Sequence, residues 1–456
     1  MRIVLVNTPS TKRLIARDMA GGLGFDRGNN SCLPPLDLAY MAATLLSKGH
    51  EVKIIDADAE QCTAGQVYER IIEYRSDIVI AAVSLPNLED DCRFLKELRG
   101  LSSAKVIAKT SITFPALLNE VLQKSLADLC IYGESDITID AILRDKDRKG
   151  TAAFKNGKFV VEENNIVDHM DELPLPARAL LPNEKYKYPL LGGKVTAVQS
   201  SRGCPYPCAY YCPYPMTQGR KWRARSPRHV ADEIEDIVDN YHIRNILFRD
   251  ATFTFDKKRV KEICALIIER RLRITWWCET RIDCLDPELI RVMKRSGCAG
   301  MNIGVETGDP VLMEQEAKAG LTLDKAKFII RSAQEAGVRL HFLLLIGLPG
   351  DTKRSLYKTY ALLRDLKPET MGLCIITPYP GTPLYDEAKR KDWIEKEDWT
   401  RFGGHDSVMH TDNMSTQDLS VAYSFIRQGF EVSRARNFRW PKKFLLEYRF
   451  KRWIES

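Results

Sequence analysis

Long apolar runs are missing from this sequence. The most apolar stretch, Phe342 to Leu348, falls far short of the roughly 20 residues a membrane-spanning helix needs, so no spanning segment is expected. The opening Met1-Arg2-Ile3-Val4-Leu5-Val6-Asn7 has no apolar core followed by a small-residue cleavage site, and reads as a first strand rather than a secretion signal. No short-period repeat is evident. A basic surface spread over a folded face is missing too: the net charge is +7, and six of those seven charges lie from Arg434 onward. A nucleic-acid partner is therefore not expected. Cysteines in regular pairs are also lacking. Twelve cysteines without a secretion signal argue for a reducing, cytoplasmic setting, where clustered thiols bind metal rather than form bridges; only three of the twelve are clustered.

What the chain does contain is alternation of short apolar runs with amphipathic stretches. Its 456 residues exceed one ordinary core and predict two domains plus an extension. Residues 1–150 read as a Rossmann-like, doubly wound α/β domain with strands at Arg2–Asn7, Glu51–Asp56, Asp77–Val83, Lys105–Lys109 and Asp128–Tyr132. Its strand ends carry Asn7-Thr8-Pro9, Ser84-Leu85-Pro86, Thr110-Ser111 and Gly133-Glu134-Ser135, where open parallel sheets bind ligands. The loop from Thr8 to Pro35, holding Gly21-Gly22-Leu23-Gly24, is long enough to be a lid. Residues 151–190 read as a hairpin around Asn156-Gly157 followed by a Pro-rich, acidic linker. Residues 191–400 give six further strand–helix units, at Val195–Ser200, Asn245–Arg249, Ile274–Cys278, Met301–Val305, Leu340–Leu345 and Met371–Thr377, which suit a partial (β/α)6 TIM barrel. Residues 401–456 form a helical, basic C-terminal extension.

The three clustered cysteines follow the first barrel strand as Cys204-Pro-Tyr-Pro-Cys208-Ala-Tyr-Tyr-Cys212. A cubane iron–sulfur cluster has four iron corners, so three cysteinates on one loop leave a corner open for a substrate atom. Gly203, Pro205, Pro207 and Pro213 stiffen the loop. Zinc sites usually close with four ligands in two pairs, and no fourth Cys or His follows until His229.

From Ser200-Ser201-Arg202-Gly203-Cys204 onward the sequence resembles the radical S-adenosylmethionine superfamily, and the chain order resembles its cobalamin-binding branch, over about residues 1–400. The resemblance implies a 4Fe-4S cluster on Cys204, Cys208 and Cys212. It also implies chelation of S-adenosylmethionine by the unique iron, and reductive C–S cleavage to a 5′-deoxyadenosyl radical. One departure stands out: the usual spacing is CxxxCxxC, whereas this loop is CxxxCxxxC, with Ala209-Tyr210 as the place of the extra residue. Matching positions at the later strand ends imply S-adenosylmethionine contacts. These are Asp250 near the amino group, Arg281 on the methionyl carboxylate, Glu306 on the ribose and Gly347 beside the adenine. Taken singly, such residues are more often helix caps, salt-bridge partners or turns. No catalytic side chain is singled out.

The N-terminal domain resembles the branch's cobalamin-binding domain in Leu33-Pro34-Pro35-Leu36-Asp37-Leu38-Ala39-Tyr40 and Lys48-Gly49-His50-Glu51-Val52. The corrinoid motif DxHxxG is absent, and His50, the domain's only histidine, reads as structural. Pro86, Thr110 and Ser111 are the candidates to lie beneath a corrinoid bound without histidine. A competing resemblance is to methylthiotransferases, with a second cluster on Cys32, Cys62 and Cys92, but Cys62 and Cys92 fall within expected helices and read as incidental.

The tail from Trp440 to Ile454 interleaves aromatic and basic residues. It reads equally as a peripheral membrane contact or as a terminal helix packing its aromatics on the barrel. The resemblance thus implies an anaerobic, cobalamin-dependent radical enzyme, most simply a methyltransferase acting on an unactivated carbon of a small-molecule or lipid-linked substrate. A one-electron reductant of flavodoxin or ferredoxin type would drive it. The alternatives are ring contraction, cyclisation or rearrangement without methyl transfer, and a non-enzymatic cluster or corrinoid carrier.

Overall fold

The computed structural model describes residues 1–10, 15–17, 25–26, 31–314, 320–434 and 440–455. Five apolar segments form strands where the sequence predicts them: β1 (Arg2–Asn7), β2 (Glu51–Asp56), β3 (Ile78–Val83), β4 (Lys105–Thr110) and β5 (Leu129–Tyr132). Every residue of β3 is buried, as a parallel strand covered on both faces requires. The five pair in parallel in the order β2-β1-β3-β4-β5. Strand order therefore reverses between β1 and β3, and the carboxyl ends on either side of that switch point form the crevice where such sheets take ligands. The helix expected after the Pro-Pro pair, α1 (Leu36–Ser47), follows directly on Pro35.

The hairpin β6 (Thr151–Lys155) and β7 (Lys158–Val161) turns on Asn156 and Gly157, both in the left-handed region (φ 50° and 75°), as a two-residue turn matched to strand twist needs. It is not a separate element: β6 pairs antiparallel with β5 and extends the sheet to seven strands. The linker also differs from a loose crossing. Tyr186 donates to Asp56 at 2.9 Å, Lys187 bridges to Cys32, and Arg178 is fully buried. The Gly21-Gly22-Leu23-Gly24 part of the expected lid lies outside the described residues. Nearby Arg17 is buried and its guanidinium joins Asp58 and Asp91 at 3.1 and 2.9 Å.

The second sheet takes β8 (Val195–Val198), β9 (Asn245–Phe248), β10 (Thr275–Arg281), β11 (Cys298–Glu306), β12 (Arg339–Ile346) and β13 (Thr370–Ile375) in sequential order. This is the half-barrel of the expected α/β fold. Its first helix, α2 (Pro227–Tyr241), starts as the sequence predicts: Ser226 accepts from the His229 N–H, Pro227 fills the first position, and the helix stops at His242 in the left-handed region.

Two compact units divide the chain. One comprises Met1–Pro205, Pro213–Ala251 and Leu266–Trp276; the other comprises Tyr206–Cys212, Thr252–Ala265 and Trp277–Ser456. Within the first, buried charges are paired rather than avoided. Arg178 donates to Glu233 at 2.5 Å and to the Ala197 carbonyl at 2.7 Å, and Arg225 pairs with the other Glu233 oxygen. All three side chains are without solvent exposure.

Within the second unit, α3 (Lys353–Leu366), α4 (Pro383–Arg390), α5 (Thr416–Arg434) and α6 (Trp440–Glu455) follow or flank the last strands. Two aromatics of α6 pack within the fold. Phe450 is 1% exposed, stacks on Phe425 at 5.0 Å and meets Tyr360 and Tyr357 edge-on, while Trp453 lies against Phe425 and under Lys353. Packing on α3 and α5 thus corrects the membrane-facing reading for these two side chains. Among the described residues no helix is long and apolar enough to cross a membrane.

Burial pushes the Glu233 carboxyl up, but Arg225 and Arg178 outweigh it and hold the group below its ordinary value of 4.5. Its stabilisation is therefore complete above that value and is lost as pH falls through the depressed one. Glu233→Ala leaves two buried guanidiniums uncompensated and is expected to cost about 3–5 kcal/mol in denaturant unfolding, with a weaker acid dependence than the parent.

Candidate functional site

The loop that carries the cysteines leaves β8 on a stem fixed from two sides. Asp250, just beyond β9, accepts from the backbone N–H groups of Ser200 and Ser201 at 2.6 and 2.7 Å and from the Ser200 hydroxyl at 2.6 Å. Arg202 donates to Asp136 at 2.6 Å and lies 3.5 Å from Glu134, both at the carboxyl end of β5. Glu134 in turn accepts two parallel bonds from Arg223 at 2.7 Å. These four side chains are essentially unexposed, so each charge depends on its partner. Gly203 then turns in the left-handed region (φ 85°), where a Cβ would meet the Lys221 carbonyl at 2.1 Å. The Cys204 N–H donates to Gly219 at 3.1 Å.

The extra residue of the loop is taken up by a helical turn. Pro207–Tyr210 is a short 3-10 turn, and the Cys208 carbonyl accepts from both Tyr211 and Cys212, at 3.1 and 2.9 Å. Both N–H groups closing on one carbonyl compact the stretch between Cys208 and Cys212, which accommodates the extra residue. Tyr210 points to Glu387 on α4 at 2.5 Å, and Tyr211 packs on the cluster around Leu348, Ile376 and Leu384. Burial first, then Glu306 and the two thiols, push the Tyr211 hydroxyl well above its ordinary pKa. Among the described residues no three His, Cys, Asp or Glu converge on one ion. A cubane takes one thiolate per iron corner and does not ask for such convergence. Three thiolates on one loop are, by their chemistry, the donor set of a cubane with one open corner.

The other predicted contacts are placed as follows. Asp250 has both carboxylate oxygens committed to the stem of the loop. Arg281 ends β10 with its guanidinium paired two-pronged to Asp283 (3.0 and 2.8 Å), over the Tyr206 ring (3.7 Å to the centroid), and 3.6 Å from Cys208 Sγ. Glu306 ends β11 at a register shift, with φ 64°, a strained backbone of the kind that accumulates at working sites. Gly347 ends β12 (φ 87°); its N–H goes to Asp351 at 2.8 Å, and a Cβ would press on Ile376 and Leu419 at 3.1 Å. Burial raises the Asp351 carboxyl to about 6 against the amides and the Ser355 hydroxyl that stabilise its charge.

In the first unit, Thr110 ends β4 and Ser111 follows it, both buried, and Pro86 is half-buried after β3. The Ser111 hydroxyl is buried without a hydrogen-bond partner, which fits a polar ligand atom at these strand ends. His50 lies elsewhere, on Asp140 at 2.7 Å, as a structural residue. Cys32 and Cys92 are buried and Cys62 half-buried, and burial pushes the Cys92 thiol up.

Sequence reading missed the open face of the half-barrel. Along β12 the residues His341, Leu343 and Leu345 are partly open while Leu340, Phe342, Leu344 and Ile346 are buried. Facing them in register on β13 are Thr370, Gly372 and Cys374. His341 bonds Thr370 at 2.7 Å, and burial lowers its pKa to about 4, so it is neutral at physiological pH. On β10 and β11, Trp277 donates to Asn302 at 2.7 Å and Asn302 to Glu279 at 3.4 Å. The one sequence signal was a histidine interrupting an otherwise apolar run.

Residues 198–363 match the model of the Radical SAM superfamily. The chain is 29% identical to an uncharacterised methyltransferase of Pyrococcus horikoshii, over 92% of this chain and 90% of that one. It is 25% identical to the anaerobic magnesium-protoporphyrin IX monomethyl ester cyclase of Rubrivivax gelatinosus, over 85% and 71%. Its fold matches that of OxsB, a cobalamin-dependent S-adenosylmethionine radical enzyme solved with aqua-cobalamin and S-adenosylmethionine, with TM-score 0.76 at 16% identity, over 100% of this chain and 71% of that one. Residues 198–363, which hold the three-cysteine loop after β8 and most of the half-barrel, thus form a Radical SAM domain, and the chain shares its fold with a cobalamin-dependent S-adenosylmethionine radical enzyme.

Proposed function

We propose that the protein is a cobalamin-dependent radical S-adenosylmethionine enzyme that transfers a methyl group to an unactivated carbon of a small-molecule substrate. The observation that carries this reading is the cysteine loop on its fixed stem, in a chain that also folds a Rossmann-like sheet. A relative named a methyltransferase, aligned over nine-tenths of both chains, supports the outcome. When bound, the cluster supplies the electron that cleaves S-adenosylmethionine and the corrinoid supplies the methyl group.

The chain's own part is to bind, orient and exclude. Cys204, Cys208 and Cys212 hold the iron corners and leave one open. Asp250 acts on S-adenosylmethionine through the stem it braces. Glu306 offers a carboxylate to the ribose from its bulge, and Gly347 shapes the turn beside the adenine. Thr110, Ser111 and Pro86 would hold the corrinoid, with the partnerless Ser111 hydroxyl offering it a polar contact. A flavodoxin- or ferredoxin-type donor supplies single electrons. The cyclase relative favours a second outcome, ring closure without methyl transfer; a product heavier by one methyl against one of unmethylated mass separates the two.

Protein purified anaerobically, reconstituted with iron and sulfide and given cobalamin, is expected to hold about four irons and a corrinoid, and to release 5′-deoxyadenosine with dithionite and S-adenosylmethionine. Each of Cys204→Ala, Cys208→Ala and Cys212→Ala is expected to abolish that release; retained cleavage in any of them contradicts the assignment. Iron without corrinoid would leave radical chemistry and remove methylcobalamin as methyl donor.

Asp250→Ala strands two buried backbone N–H groups, a loss of about 1–3 kcal/mol, and is expected to lower iron retention while the circular dichroism of the helices is unchanged. Asp250→Asn keeps an oxygen for both amides and is expected to retain more iron than Asp250→Ala.

A further inference from the structure

We propose that Arg281 tunes the reduction potential of the cluster through Cys208, in place of binding the methionyl carboxylate. The assignment rests on the reading above for the cluster itself and on four contacts for the residue. Its Nη1 is 3.6 Å from Cys208 Sγ, within hydrogen-bond reach of a sulfur acceptor. Nε and Nη2 are taken by the two oxygens of Asp283, at 3.0 and 2.8 Å. The guanidinium carbon lies over the Tyr206 ring, 3.7 Å from its centroid, and the Tyr206 hydroxyl is 2.8 Å from Cys284 Sγ. The side chain is only 7% exposed. Asp283 thus takes one edge and Tyr206 meets the guanidinium from the side of its ring, while Nη1 reaches the sulfur.

The physical consequence has a sign. Reduction of the cluster adds one negative charge, which spreads onto the thiolate sulfurs. A fixed cation donating to one of those sulfurs stabilises the reduced form more than the oxidised form, which raises the potential, and hydrogen bonds to sulfur together with net charge are the levers by which proteins set such potentials. Asp283 works the other way: it orients the guanidinium and also cancels part of its charge. Tyr206, two residues after Cys204 in the chain, supplies the platform, and an arginine face on an aromatic ring holds the cation in place where a lysine would swing.

The test compares reconstituted wild type with Arg281→Met, Arg281→Lys and Asp283→Asn. The readouts are iron content, then the midpoint potential of the cluster by redox titration followed by electron paramagnetic resonance, with and without S-adenosylmethionine. Arg281→Met is expected to shift the potential negative, Arg281→Lys to shift it less because the charge remains, and Asp283→Asn to shift it positive because the guanidinium is less neutralised. Opposite shifts from neighbouring substitutions are not what a merely loosened loop would give. Unchanged potentials together with a raised KM for S-adenosylmethionine in Arg281→Met would overturn the proposal and return Arg281 to carboxylate binding. A wild-type protein that holds no cluster would instead remove the functional reading on which the proposal rests, before any variant is compared.

Discussion

The stem between β8 and Cys204 is the constraint on which the site depends. Three unrelated forces act on four consecutive residues: the Asp250 carboxylate on the amides of Ser200 and Ser201, the Asp136 carboxylate on Arg202, and the lack of a Cβ at Gly203. Each involves a buried charge or a close backbone approach, and none tolerates a neighbour of different shape. A loop without regular structure can hold three ligands in a set arrangement only if its entry is set, and here the entry is set by groups that are costly to leave unpaired.

The same buried charges link the corrinoid-type sheet to the cysteine loop. Glu134 and Asp136 sit just past the carboxyl end of β5, and their partners Arg202 and Arg223 face each other across a two-residue antiparallel ladder, Ser201–Arg202 against Arg223–Ala224. Purely apolar contacts would hold this junction at similar stability but with less orientation, since a two-pronged guanidinium–carboxylate pair fixes both distance and plane. The residues after β5 thus anchor the stem of the cysteine loop.

Much of this was legible in the sequence because it follows from period and spacing. The eleven strands of the two expected series appear within a few residues of their predicted places, since apolar runs between turn residues leave little else to form. The cysteine loop was legible from spacing alone. What could not be read were relations across long separations. Nothing local in Asp250 says that its oxygens go to Ser200 and Ser201, fifty residues back, and nothing in Arg281 reveals the ring of Tyr206 beneath it. The C-terminal aromatics were ambiguous for the same reason: whether Phe450 and Trp453 meet lipid or protein is decided by Phe425, Tyr357 and Tyr360 on other helices. The extra residue between Cys208 and Cys212 looked like a defect in one dimension and is one more residue of a helical turn in three.

The most direct test of the account is Mössbauer spectroscopy of the reconstituted protein, in enriched iron, before and after addition of S-adenosylmethionine. The account predicts that one iron site, distinct from those on Cys204, Cys208 and Cys212, changes its parameters on addition while the thiolate-bound sites stay as they were. A spectrum in which every iron is equivalent and indifferent to S-adenosylmethionine would mean a cluster without an open corner, and would contradict the radical chemistry at its first step.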